Sequence, residues 1–507
     1  MAVTNIPDNI LAGRSVLRTD LTGDDLLDPK KVKADLERVL PQHARNAEQI
    51  RWLQEYHKGW HPYVQERVKR TRTDVDNKIT VNHAWGFTRD IVGYFLGKPI
   101  QYTHRQGKFR RQMEAFNNVM HAESKALVDY EIAEDCSICG IGYRGMFTED
   151  RPRNGTKLKL LRLDPLNNFV VRSSNPIKPT VYAVSFYETQ GDTQNQTVIH
   201  YYVYAPTRQY HFTREGSSLV DVTGVKPELT YRDQKNINFG GGLPIQEYEN
   251  NLVRMGDWET CIALMDALDC VSSDGVNDIQ QAVNSVLVAM GMELTEDMFK
   301  NLSTSGLLNV KDIPPGTTPV VEFISQAMDA DVGVSMREYL EATLRIIVGV
   351  PDRKTRGGGG GDTGDAVFMR DGWQDIDLVA TSKEQYFIKA EREALDVMLY
   401  ILSTVREVKS LTPTDIGIHF NRNKTSNLQS KAQTYQTLTS GDAPLAPVDA
   451  LDMAGLTNNV PDVILRAESY AAERAEKRIA EQQAVNDGKP NSSEGGVSDA
   501  GDGDATD

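Results

Sequence analysis

The chain has 507 residues, too many for one compact core, so several domains are expected. Hydrophobic residues make up 39% and charged residues 25%, close to the globular norm, so the bulk should fold. Acids outnumber bases by 71 to 56, a net charge of −15, which argues against a protein that grips nucleic acid by neutralising phosphates but not against one that lets DNA slide past.

The first residues, Met1 to Leu17, hold turn formers at Pro7, Asp8 and Asn9 and no apolar signal-peptide core, so no secretory signal is expected. From about Pro29 to Tyr130 the pattern is mainly helical with mixed charge. Two basic clusters lie there: Arg67, Lys69, Arg70 and Arg72, then Arg105, Lys108, Arg110 and Arg111. They read either as solvated faces or as local anion or DNA contacts. Cys136 and Cys139 form a C-x-x-C, but no second Cys or His pair follows nearby as a zinc ribbon requires. With Cys261 and Cys270 they are expected to be reduced thiols of a chain folded in a cytosol.

From about Tyr143 to Tyr231 the texture turns β-rich. The runs Lys157–Leu163, Phe169–Arg172, Thr180–Tyr187, Val198–Tyr204 and Gln209–Thr213 predict an antiparallel meander, punctuated by Asp164-Pro165 and Asn167-Asn168. Asn238 to Pro244 reads as a turn, and Tyr248-Glu249-Asn250-Asn251 leads into a helix over about Asp257 to Val283. Its apolar residues Trp258, Ile262, Met265, Leu268, Val271, Val276, Ile279 and Val283 follow the helical period. Glu259, Asp266, Asp269, Asp274 and Asp278 make one edge acidic, either a solvated face or a channel wall. The longest charge-free apolar stretch, about Ile279 to Met292, is too short to span a bilayer.

Residues 284–331 read as a small mixed insertion, with strands over Ser285–Met290 and Val320–Ile324 and a turn at Asp312 to Gly316. A helix over about Val334 to Val348 follows, with Met336, Leu340, Leu344 and Ile347 on one face; Gly349 and Pro351 stop it. Then come Arg353, Lys354, Thr355 and Arg356, the glycines Gly357, Gly358, Gly359, Gly360 and Gly361, and Asp362, Thr363 and Gly364. Five glycines lose much conformational entropy if ordered, so a mobile loop is expected. It lacks the Gly-x-x-x-x-Gly-Lys-Ser/Thr spacing of a phosphate-binding loop, and Asp365 would repel phosphate where a lysine is needed. It reads either as a flexible linker or as a loop that meets moving DNA.

A long helix over about Asp365 to Val405 could reach about 60 Å at 1.5 Å per residue. Trp373, Ile376, Val379, Phe387, Ala390, Ala394, Val397, Met398 and Ile401 supply its apolar stripe. Asp415–Asn421 is strand-like, and helices are expected over Ser426–Leu438 and about Pro461 to Gln483. Asn486 to Asp507, rich in Gly, Ser and Asp, is expected to be disordered. Asp74/Asp76, Asp329/Asp331 and Asp375/Asp377 have no His or third carboxylate at ligand spacing and read as surface pairs. The 9 histidines are scattered and no nucleophile motif is present, so no catalytic residue, cofactor or metal is expected.

Four stretches, in their order and spacing, resemble a known family. The first is Tyr56-His57-Lys58-Gly59 with Asn77-Lys78-Ile79 and Gly97-Lys98-Pro99-Ile100. The second runs from Asn238-Phe239-Gly240 through Leu243-Pro244-Ile245 and Tyr248-Glu249-Asn250-Asn251 to Leu264-Met265-Asp266-Ala267-Leu268-Asp269. The third is Gly349-Val350-Pro351 ahead of the Gly-rich loop and long helix, and the fourth is Phe420-Asn421-Arg422-Asn423 before a helix. Over residues 50–470 the chain thus resembles the siphophage-type portal proteins of tailed bacteriophages.

The resemblance implies an α+β portal fold. It has an α/β wing (1–256, helical and then a β-meander), helical stem segments (257–283 and 332–349) and a small α/β clip insertion (284–331). A tunnel loop (350–364), a long wing helix (365–410), a mainly helical crown (411–485) and a disordered acidic tail (486–507) complete it. It further implies a homo-oligomeric ring of about twelve subunits with closed cyclic symmetry. Double-stranded DNA would pass through its channel, and the terminase packaging motor and later the head-tail connector, or adaptor, would dock on the clip. Major capsid and scaffolding proteins are further implied partners, with no membrane. The implied location is the portal vertex of the virion, after assembly in the host cytoplasm. On the same resemblance, the 350–364 loop, with Arg353 to Gly364, forms the narrowest point of the channel and the acidic edge its wall. The family often opens the long helix with Ser-Gly and an aliphatic residue, where this chain has Thr363-Gly364-Asp365-Ala366. The rival readings are another structural virion protein, such as a capsid or collar subunit, and a nucleotide-using packaging enzyme supported only by the Gly-rich loop.

Overall fold

Helix α1 (Pro29–His57) begins where its cap residues dictate: the Asp28 side chain accepts the Lys30 amide, and Pro29 takes the first helical position. The structure, a computed structural model, describes residues 13–68, 75–105, 109–148, 155–175, 180–190, 197–216, 218–223, 241–283, 286–290, 320–324, 330–351, 373–408, 411–422, 428–440, 445–457 and 460–487. Along α1 the buried residues serve two cores. Val32, Leu36, Val39 and Leu40 face one; Ile50, Trp52, Leu53 and Tyr56 face the other. The short α2 (Pro62–Gln65), then α3 (His83–Phe95), α4 (Arg110–Ala122) and α5 (Lys125–Cys139) complete the helical stretch read from the sequence. One strand, β2 (Gln101–His104), interrupts it; Tyr102, Thr103 and His104 are buried there because the strand is paired rather than solvated.

The expected meander divides between two sheets. One has six strands in the order β1-β5-β6-β7-β8-β9: β1 (Arg18–Thr19), β5 (Asn168–Ser173), β6 (Thr180–Gln190), β7 (Thr197–Tyr204), β8 (Gln209–Glu215) and β9 (Ser218–Asp221). All neighbours are antiparallel except β1, which pairs parallel to β5. The other sheet, β10-β3-β4, joins β3 (Ile141–Thr148), β4 (Leu158–Leu163) and β10 (Ile245–Glu249). The Asp164 to Asn168 turn separates them. Asp164 accepts the Leu166 amide on its side chain and the Asn167 amide and Asn168 side chain on its carbonyl. β10 stands where the sequence suggested the approach to a helix; pairing with β3, from Ile245↔Gly145 to Glu249↔Ile141, overrides that reading.

After β10, a 3-10 turn (Glu259–Cys261) opens helix α6 (Ile262–Val283). Strands β11 (Val286–Met290) and β12 (Val320–Ile324) pair antiparallel, as their sequence predicts, and helix α7 (Ala330–Val348) follows. The long helix α8 spans Trp373–Thr404, about 48 Å. β13 (Ile416–His419) pairs antiparallel with β2, closing a small sheet across 312 residues of sequence from Gln101↔His419 to His104↔Ile416. Residues 1–104 and 109–426 form one compact unit. The second unit carries α9 (Leu428–Thr439), α10 (Pro447–Ala454) and α11 (Val460–Asp487); within it Lys431 donates to the Gly455 carbonyl. α10 was not read from the sequence. The fold is α+β.

Candidate functional site

The hairpin of α6 and α7 and the long helix α8 share one core. Ile262, Met265 and Leu268 of α6 join Leu340, Leu344 and Val348 of α7 and Ile376 and Ala380 of α8. The apolar period read in 257–283 therefore holds for the first half of that helix. Its later members Val276 and Ile279 are exposed, at 39% and 69%. α7 likewise has a buried strip and an exposed one, with Val334, Met336, Tyr339, Ile346 and Ile347 open to solvent. Gly349 ends α7 at φ +75°, where both its amide and that of Val350 donate to the Arg345 carbonyl. A side chain at Gly349 would also meet Val379 Cγ2 at 2.9 Å.

The root of the hairpin is anchored by buried polar groups. Asn250 donates to the Met255 carbonyl and to Asp257, both near 2.9 Å, and Lys383 of α8 reaches Asp257 at 2.7 and 2.8 Å and also bonds Asn250. Trp258 is fully buried and gives its Nε1–H to Thr88 Oγ1. Glu259 is fully buried; it accepts two bonds from Arg14, at 3.0 and 3.2 Å, and the Gly256 amide at 2.7 Å. Burial pushes its carboxyl up to about 7 against the pull of Arg14.

The acidic edge of α6 also turns inward for most of its length. Asp266 accepts the Tyr56 hydroxyl at 2.9 Å. Asp269 takes His61 Nδ1 at 2.5 Å and the Val81 amide at 2.7 Å. Beyond it, Ser273 accepts the Ile79 amide and Asn277 the Asn77 amide. Glu259, Asp266 and Asp269 therefore do not present a solvated face, because their oxygens are spent on partners in the same subunit. Asp274 and Asp278 remain half-exposed, and Asp274 is paired with Arg67 at 2.9 Å.

Midway along α8 a buried ionic cluster fixes the helix to the sheet. Glu391 pairs with Arg144 of β3 at 2.7 Å and Lys125 of α5 at 3.0 Å, and accepts the hydroxyls of Tyr102 and Tyr248. Asp129 completes it through Lys125 and Arg144. Burial alone would raise the Glu391 carboxyl, but Arg144 and Lys125 outweigh it and hold it below the usual carboxylate range. Asp129 goes the other way, raised by burial against the pull of Lys125 and Arg144. Apart from Tyr248, which stands in one of the family-like stretches, none of these residues was singled out from the sequence; they lie on five elements, and only Lys125 and Asp129, four apart on α5, are linked by spacing.

The remaining expected residues divide as follows. Arg353, Lys354, Arg356, Gly357 to Gly361, Asp362, Thr363 and Gly364 lie outside the described residues, as do residues 365–372, Lys69, Arg70, Arg72, Lys108, Asp74, Asp329, Asn238 to Gly240, the 312–316 turn and the tail from 488. Asp377 is not a free surface acid, since it takes Arg422 at 2.9 Å and the Tyr94 hydroxyl at 3.1 Å. Cys136 and Cys139 are free, buried thiols on α5. Among the described residues no helix is long and apolar enough to cross a membrane.

The sequence matches the family described as "Phage portal protein, SPP1 Gp6-like" over residues 36–483. No curated protein matches it. Among solved structures, a chain of the "Neck of empty GTA particle computed with C6 symmetry" is similar at 10% identity and a TM-score of 0.39, covering 74% of this chain and 90% of that one.

Proposed function

Because the chain belongs to the SPP1 Gp6-like family of phage portal proteins, we propose that its copies close into a ring at one capsid vertex and conduct double-stranded DNA along the ring axis. The family is a structural one, so the work of translocation falls to a partner, the terminase packaging motor, and the ring later docks the head-tail connector. In this reading 257–283 and 332–349 are the stem, 284–331 the clip that meets motor and connector, 350–364 the tunnel loop and 411–485 the crown. Major capsid and scaffolding proteins would embed the ring, which assembles in the host cytoplasm.

The observation that carries this reading is the second apolar strip on the α6–α7 hairpin. Tyr339 and Ile346, exposed at 65% and 76%, lie two turns apart on one face of α7. Solvent-facing apolar residues in a row favour a covering partner, and in a cyclic ring that partner is the next copy. A channel wall for passing DNA then falls to Asp274 and Asp278, the acids of α6 left half-exposed. The loop with Arg353, Lys354 and Arg356 flanking five glycines is the proposed DNA contact.

Electron microscopy of the purified full chain tests the ring. Closed annular particles are expected; monomers that persist at high concentration overturn the proposal. The loop is tested separately. Deleting Gly357 to Gly361 should impair packaging of DNA and leave the annular particles intact, and unaffected packaging reduces the loop to a linker.

A further inference from the structure

His61, Asp266 and Asp269 meet at the base of α6, in the interior of the first unit. His61 and Asp269 are fully buried and Asp266 is 8% exposed. One potential ligand atom from each lies within 4.8 Å of the others. Tyr56 covers the group, its ring stacked 3.8 Å from the His61 ring and its hydroxyl on Asp266.

Two features of this cluster are left unresolved by protein atoms. The first is charge. Two carboxylates are brought together away from solvent, and among the described residues neither pairs with a lysine or arginine. His61 can supply at most one positive charge, so the ionised cluster keeps an uncompensated negative charge in a low-dielectric site. The second is the placement of His61: Nδ1, 2.5 Å from Asp269, is the ring nitrogen that faces the carboxylates, while Nε2 on the far side of the ring is buried and has no partner.

We infer that this cluster binds one divalent transition-metal cation of the zinc class, with a ring nitrogen of His61 and carboxylate oxygens of Asp266 and Asp269 as protein ligands. One nitrogen with two oxygens suits zinc better than calcium or magnesium, which take six or more oxygens or stay largely hydrated. Tetrahedral zinc holds its ligand atoms about 3.3 Å from one another, so the His61–Asp269 contact opens from 2.5 Å as the ion replaces the shared proton, and a water fills the fourth position. The ion would tie α6 to the Tyr56–His61 turn and, through Asp269, to the Val81 segment. It would therefore set the root of the hairpin without touching any DNA-facing surface. His61 precedes Asp266 by 205 positions, so no spacing in the sequence could have revealed the set.

The test uses the purified full chain, loaded with Zn²⁺ and dialysed against metal-free buffer, with metal content measured by atomic emission and thermal unfolding followed with and without EDTA. About one zinc per chain is expected, with a melting temperature that falls on chelation. Asp266→Asn keeps an acceptor for Tyr56 and should fold with an unchanged circular dichroism spectrum, yet lose at least about tenfold in zinc affinity. Co²⁺ loading of the unsubstituted chain gives a readout independent of any variant: a visible d–d absorption band displaced by zinc. A chain that retains no zinc and shows no cobalt band overturns the inference, as does zinc uptake unchanged in Asp266→Asn.

Discussion

The Val81 amide donates to Asp269 Oδ1 at 2.7 Å, and two further rungs continue from it. Ser273 takes the Ile79 amide at 2.9 Å and Asn277 the Asn77 amide at 2.7 Å. The spacing works because four residues of helix rise about 6.0 Å while two residues of extended chain rise about 6.6 Å. Every fourth side chain of α6 thus meets every second amide of 77–81, running in the opposite direction. Ser273→Ala leaves the Ile79 amide without its acceptor and should destabilise the chain by about 1–3 kcal/mol in urea unfolding. Faster hydrogen exchange at the Ile79 amide should accompany it, and unchanged exchange would mean that the rung contributes nothing.

Glu391 offers a second expectation. Replacing it with Ala leaves Arg144, fully buried, with only Asp129, and Lys125 sharing that same acid. The loss should be about 3–5 kcal/mol. The double replacement Glu391→Met with Arg144→Met leaves the Lys125–Asp129 pair balanced and should cost less than Glu391→Ala alone. A denaturant series on the three proteins orders them, and a double variant less stable than the single one contradicts the electrostatic account.

His43 links stability to pH. Its ring stacks on Phe169 at 4.3 Å and donates from Nε2 to the Leu166 carbonyl at 2.9 Å. Burial holds the imidazole down at about 4, below an unfolded value of 6.5. Between those values the unfolded chain binds a proton that the folded chain does not. The contribution is complete above pH 6.5 and lost as pH falls toward 4, amounting to about 3 kcal/mol. His43→Gln keeps a donor for Leu166 and removes the titration. Its stability difference between pH 7 and pH 4 should be smaller than that of the unsubstituted chain by that amount.

The helices and strands were largely legible because their patterns are local. β11 and β12 lie where β-branched runs placed them, and α7 stops at Gly349 as its glycine and proline signalled. The division of the meander was not legible, because β4 and β5 look alike in isolation and the Asp164 turn alone directs them to different sheets. The acidic edge of α6 was legible as a row of carboxylates, but not that Glu259, Asp266 and Asp269 turn inward to partners in the same subunit. Periodicity tells which residues share a face. It does not tell that an extended segment some 190 residues earlier, 77–81, would supply amides to that face. Glu391 and Lys383 were invisible for the same reason, since charged residues inside an apolar helical stripe are interpretable only once Arg144 and Asp257 are seen beside them.

The two apolar strips of α7 separate folding from assembly. Leu344 is fully buried against the subunit's own core, whereas Ile346, two residues on and pointing elsewhere, is 76% exposed. A charge at Leu344 has to enter a core without a partner, so Leu344→Asp should prevent folding. A charge at Ile346 stays in water in the isolated subunit, so Ile346→Asp should leave its melting temperature within a few degrees of the unsubstituted monomer. In a ring the same aspartate would be repeated at every subunit contact and would have to be desolvated at each one. Ile346→Asp, alone or with Tyr339→Asp, should therefore yield folded monomers in sedimentation velocity runs under conditions in which the unsubstituted chain sediments as a ring. Rings that survive both substitutions would mean that a different face of the subunit carries the contact.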